Sequence, residues 1–193
     1  MKYLCNKNEL LTASLNAIKP CSKLLDIGCG IKPFSNIECK IHICCEPYDE
    51  YIEVLNEKYK DLLILNMSWQ DVVKSFTCNS VDTILLADVI EHLEKEEALD
   101  LLSKTLNIAS QQVVIFTPLG FFEQNHPDGI DAWGFHGGNW QIHRSGWYPE
   151  DFPENPNGHW DFFICNDFHN LNNKEELLPE PKGAFWAIWS VDN

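Results

Sequence analysis

The chain has 193 residues, 45% of them hydrophobic and 22% charged, a length and texture that suit one soluble folded domain over residues 1–193. Its 29 acidic against 14 basic residues give a net charge of -15, and no Lys/Arg cluster could follow a phosphate backbone, so neither nucleic acid nor an anionic membrane surface is an expected partner. The opening Met1-Lys2-Tyr3-Leu4-Cys5-Asn6 lacks the apolar core of a secretory leader and no segment is apolar enough to span a bilayer; with 8 cysteines read as small buried hydrophobes of a reducing compartment, the cytoplasm is the expected location.

In chain order, short apolar runs at 24–27, 41–45, 62–66, 81–87 and 113–117 read as buried parallel strands. Residues 49–59 and 95–107 place apolar side chains every three or four positions, as surface helices do. The acids Glu94, Glu96 and Glu97 suit the first turn of the second helix. This alternation, over a core of residues 20–120, predicts an α/β, Rossmann-like, doubly wound sheet. Residues 119–159 then form a long stretch rich in Gly, Pro, Asn, His and Trp, of a length that points to function. Two strand-like runs, 160–167 and 184–191, separated by polar, Pro-containing residues 170–182, close the chain as an antiparallel edge pair and bring the expected sheet to seven strands.

The chemistry begins at Leu24-Leu25-Asp26-Ile27-Gly28-Cys29-Gly30. An acid at the end of a buried strand, followed by glycines whose bare backbone admits a close ligand, suits a nucleotide-like molecule. Glu46 closes the next strand before Pro47, where one carboxylate can accept both hydroxyls of a ribose. Asn66-Met67-Ser68-Trp69 follows the third strand, and Asp88-Val89-Ile90-Glu91-His92-Leu93 follows the fourth.

In order and spacing these four landmarks resemble the class I S-adenosylmethionine-dependent methyltransferases, of the small type 11-like kind. The resemblance implies S-adenosyl-L-methionine as cofactor. It assigns Asp26, Gly28, Cys29 and Gly30 to the methionine end, Glu46 and Pro47 to the ribose, and Met67, Ser68 and Trp69 to the adenine. Asp88 would stand at the sheet edge between cofactor and acceptor, with His92 a turn further on as a candidate for the chemistry. The sequence departs from the family at Pro33, where a third glycine is missing; with so few residues before the next strand, the first crossover helix is a turn or two at most.

Acceptor recognition falls to the aromatic stretch, with its His126, Asp128, Trp133, Arg144 and Tyr148. Asp131, His136, Trp140 and Trp147 are the expected substrate contacts, suited to a sugar, a phenol or a heteroaromatic small molecule. His143 is the first choice for general base; residues 141–152 resemble the part of related enzymes that leads into the last helix. No metal is expected: there is no C-x-x-C, and the gaps between histidines are irregular. Two rivals stay open, a nicotinamide-dependent oxidoreductase, against which Pro33 speaks, and an inactive binding protein of methyltransferase fold.

Overall fold

The structure is a computed structural model that describes residues 1–171 and 177–192. It contains β1 (Lys2–Leu4), α1 (Lys7–Leu15), β2 (Cys21–Ile27), β3 (Cys39–Glu46), α2 (Asp49–Lys58), β4 (Leu63–Asn66) and α3 (Trp69–Ser75). These are followed by β5 (Val81–Ala87), α4 (Lys95–Ile108), β6 (Ala109–Pro118), β7 (Gly158–Leu171) and β8 (Leu177–Val191). The strands make one eight-stranded sheet in the order β1-β7-β8-β6-β5-β2-β3-β4. Only β8 runs against its neighbours, β6 and β7; the other pairs are parallel.

The expected α/β fold and closing antiparallel pair are present, but the sheet has eight strands, not seven. The added strand is β1, which lies parallel to β7 with Lys2 opposite Phe162. Its three residues are all exposed, so no apolar pattern marks it. α1 is likewise silent in its periodicity, with only Leu10 and Ser14 buried; what starts it is a capping box, in which Asn6 accepts from the amides of Asn8 and Glu9 and the Glu9 carboxylate returns to the Asn6 amide. Residues 172–176, inside the expected polar separator, lie outside the described residues.

Adjacent strand residues feed opposite faces, which is why buried parallel strands read as unbroken apolar runs. Leu24, Leu85, Val114 and Ile188 pack with Leu10 of α1 on one face. Leu25, Ile84, Val113 and Ile115 pack with Leu101 and Leu102 of α4 and Val72 of α3 on the other. Two connections depart from the regular winding. No helix forms between β2 and β3, where even a short one was expected, and no helix precedes β7: Tyr148 leads only into a single turn of 3-10 helix, Pro149–Asp151, in place of the last helix. Residues 119–157 take that space and are fastened by backbone bonds such as Gly120 N to Trp147 O at 2.7 Å and Arg144 N to Glu91 O at 2.7 Å.

Strand order reverses between β2 and β5. The crevice beyond their carboxyl ends is where open α/β sheets take ligands, and here it holds a cavity of about 520 Å³.

Candidate active site

One side of the cavity is made by strand ends. β2 delivers Asp26, buried and held by His42 Nε2 at 3.1 Å. Burial pushes the Asp26 carboxyl up, against the pull of His42; burial opposes charge on His42 too, yet Asp26 and Cys44 together raise it to about 9. The turn after β2 needs glycine: Gly28 and Gly30 have φ of +70° and +57°, and a Cβ on Gly30 would stand 2.8 Å from the Trp133 ring. β3 ends in Glu46, whose two oxygens accept from the amides of Gly30 and Tyr48, each at 3.0 Å. Burial raises its carboxyl to about 7, the two amides drawing it down and the nearby Asp26 adding to the rise. Each oxygen keeps a second lone pair for a ligand hydroxyl.

The other side is made where β5 and β6 meet the long loop. Asp88 follows β5 with φ +52°, a left-handed conformation rare outside glycine, and its amide donates to Phe116 O at 3.0 Å. The residue keeps exposed surface, yet desolvation inside the cleft raises its carboxyl to about 6. Glu91, 2% exposed, accepts from Thr117 Oγ1 at 3.0 Å through one oxygen. Burial, and then Asp88 beside it, hold Glu91 far above the carboxylate range.

His92 and His143, whose ring centres are 4.8 Å apart, stand over this pair. Their Nδ1 atoms face the carbonyls of Ile142 at 3.2 Å and Phe122 at 2.5 Å. A carbonyl only accepts, so Nδ1 carries the hydrogen and Nε2 keeps its lone pair. Burial, reinforced by His143, drives His92 down to about 3, and burial also lowers His143, so both rings are neutral at pH 7.

Of the residues singled out in the sequence, Asp26, Gly28, Cys29, Gly30, Glu46, Pro47, Met67, Trp69, Asp88, His92, Trp140 and His143 all line this one cavity. Four do not. Ser68 instead caps α3, accepting from Asp71 N at 3.2 Å. Asp131 is buried behind the wall, tying Tyr51 Oη and the amides of Trp133 and Phe135 together, and so braces the loop on α2. His136 is exposed outside the cavity. Trp147 is a core side chain with no exposed surface; its Nε1 donates to Ser145 Oγ at 2.9 Å and the Lys95 ammonium sits 3.6 Å from its ring centre.

Trp133 of the long stretch lines the cavity as well, and so do Tyr51, Phe122 and His169, which were not assigned to it from sequence. His169 stacks on Phe122 at 4.9 Å. The apolar run of β7 stops at Cys165, and nothing in the polar residues beyond it marks the strand that carries His169 to this wall.

Solved structures of methyltransferases share this fold. The N-methyltransferase NodS from Bradyrhizobium japonicum in complex with S-adenosyl-L-homocysteine superposes with a TM-score of 0.60 at 15% identity, over 97% of this chain and 86% of that one. A SAM-dependent methyltransferase from Archaeoglobus fulgidus gives 0.59 at 19% identity, over 93% and 90%. The fold is that of the class I S-adenosylmethionine-dependent methyltransferases. The plantazolicin methyltransferase BamL, solved with a desmethyl substrate analogue and S-adenosyl-L-homocysteine, gives 0.55 at 12% identity, over 95% and 82%. No protein-family model and no curated protein matches the sequence. Among the described residues no helix is long and apolar enough to cross a membrane.

Within this methyltransferase fold the residues present fit the cofactor. The glycine turn leaves a bare-backbone cradle that a single Cβ would fill, and the tip of β3 offers a carboxylate with acceptor capacity to spare.

Proposed function

We propose that the protein binds S-adenosyl-L-methionine and methylates an oxygen or nitrogen of a small-molecule acceptor in the cytoplasm. The observation that carries this reading is the convergence of Gly28, Gly30 and Glu46 on the same cavity as Asp88, His92 and His143. When bound, the cofactor supplies an electrophilic methyl group. Asp26 and the glycine turn hold its methionine end, Glu46 its ribose, and Met67 and Trp69 its adenine. Across the cavity His92 and His143 present neutral Nε2 atoms that orient an acceptor and can take its proton. Trp140, 49% exposed, stands at the mouth, where it can cover an acceptor ring. The acidic surface and the enclosing loop favour a small neutral or cationic acceptor over nucleic acid.

Titration calorimetry with S-adenosyl-L-homocysteine tests the reading. Binding is expected, with Glu46→Ala weakening it about 100-fold, the cost of two charge-assisted hydrogen bonds lost with their acceptor. Binding of NAD in its place, or of neither, would overturn it.

A further inference from the structure

The acceptor wall contains a set of donors that the cofactor leaves unused. Glu91, His92 and His143 each bring a potential ligand atom within 4.8 Å of the other two. Both imidazoles have Nδ1 committed to a backbone carbonyl, the arrangement that fixes Nε2 as a metal-facing lone pair. Glu91 Oε1 is buried with no hydrogen-bond partner, although the residue is 2% exposed. Among the described residues no Lys or Arg forms an ion pair with Asp88 or Glu91. The nearest guanidinium, that of Arg144, is spent on the carbonyls of His92, Ile142 and Asn139. A buried carboxyl oxygen without a partner is costly to fold, and a bound dication would remove that cost.

We propose that Glu91, His92 and His143 bind a divalent first-row transition-metal ion on the acceptor side of the cleft, with Asp88 beside it.

Two imidazole nitrogens and one carboxylate favour Mn²⁺, Fe²⁺, Co²⁺ or Zn²⁺ over the all-oxygen preference of Mg²⁺ and Ca²⁺. Bonds of about 2.0–2.2 Å place neighbouring ligand atoms roughly 3–3.4 Å apart, so side-chain rotations that draw the three inward by about 1 Å complete the site. A third imidazole, His126, is also oriented by its Nδ1 against a carbonyl, Ile130 O at 2.8 Å, and its Nε2 is buried without a partner. It stands outside the three-ligand set. His92, His143 and Asp88 line the cavity, so the open coordination positions face the acceptor. Resting on the methyl-transfer reading, but with the two imidazoles holding the ion in place of taking the proton themselves, the acceptor class narrows to a hydroxyl or vicinal diol, whose oxygen the ion would hold while the proton passes to solvent.

A second cluster, Asp26, His42 and Cys44, has similar spacing, but Asp26 and His42 already satisfy each other at 3.1 Å. Cobalt separates the two sites by colour. Titrating Co²⁺ into the unliganded protein should give visible ligand-field bands without a sulfur-to-cobalt charge-transfer band. His92→Asn and His143→Asn should each weaken Co²⁺ binding at least tenfold, with S-adenosyl-L-homocysteine affinity held within about threefold. Should either variant fold poorly, wild-type proton spectra supply the same answer: Co²⁺ should shift the ring resonances of His92 and His143. No Co²⁺ binding at millimolar concentration, a thiolate charge-transfer band, unshifted histidine resonances, or undiminished binding in both variants would each overturn the proposal. Co²⁺ binding without S-adenosyl-L-homocysteine binding would leave the metal site standing and defeat the methyl-transfer reading. The converse result would do the opposite.

Discussion

The two sides of the cleft are built by different means. The cofactor side is assembled from the ends of β2 and β3, which are paired residue by residue, Asp26 opposite Cys44. Each side chain there is aimed by strand register, and Asp26 and Glu46 find partners only 16 residues away along the chain. The acceptor side joins the turn after β5 to a loop some fifty residues further on, fastened by Arg144 N and Ser145 N donating to Glu91 O at 2.7 and 3.1 Å. Strand ends are rigid and repeat from protein to protein of this fold; a loop fastened to a turn can be rebuilt without disturbing the sheet. One side can therefore keep the cofactor while the other changes the acceptor.

This contrast can be pressed in three places. The largest effect is expected at Trp147, which belongs to the foundation of the loop and not to its working surface. Trp147→Ala should cost about 3–5 kcal/mol in urea denaturation, with S-adenosyl-L-homocysteine affinity unchanged in whatever protein stays folded; a selective loss of acceptor affinity would instead return it to the site.

Next comes the pH dependence of the cofactor side. With its carboxyl raised to about 7 by burial, Glu46 must ionise to accept two hydroxyls. S-Adenosyl-L-homocysteine affinity should rise about tenfold between pH 6 and 8, following the ionised fraction, and Glu46→Gln should flatten the profile in calorimetry. The sign for stability is opposite. A carboxyl held above its ordinary value of 4.5 favours the folded state fully below that pH, and this contribution is lost as pH rises through about 7. The unliganded protein should thus lose melting temperature over the range in which it gains affinity.

The smallest effect is at Ser68. As a helix cap its removal in Ser68→Ala should cost about 1 kcal/mol and leave ligand affinity alone, whereas an adenine contact would show in calorimetry.

What could be read from sequence follows the same division. Leu24 to Gly30, Glu46 and Asp88 were legible because each sits at the end of an apolar run, where period and turn chemistry coincide. The acceptor wall was legible only in part: His92, Trp140 and His143 line the cavity, whereas Asp131, His136 and Trp147 do not. His92 and His143 meet only through folding, and the irregular histidine spacing that argued against a metal describes distance along the chain, not across the cleft. Trp147 misled because an aromatic in a Gly- and Pro-rich stretch reads as exposed, while here the loop replaces a helix and inherits its duty to cover the sheet. β1 and α1 escaped for want of an apolar face, although Asn6 and Glu9 carried a legible helix start.

Asp88 carries a consequence for anyone who would improve this protein. Its φ of +52° is the geometry in which glycine is at ease and an L side chain is not. Replacing it with glycine relieves the backbone and removes a carboxyl that desolvation in the cleft disfavours, so a screen for thermostability would reward the change. The tolerance of the chain for an aspartate there is a standing sacrifice of robustness, and selection for heat resistance alone would erase the site it serves.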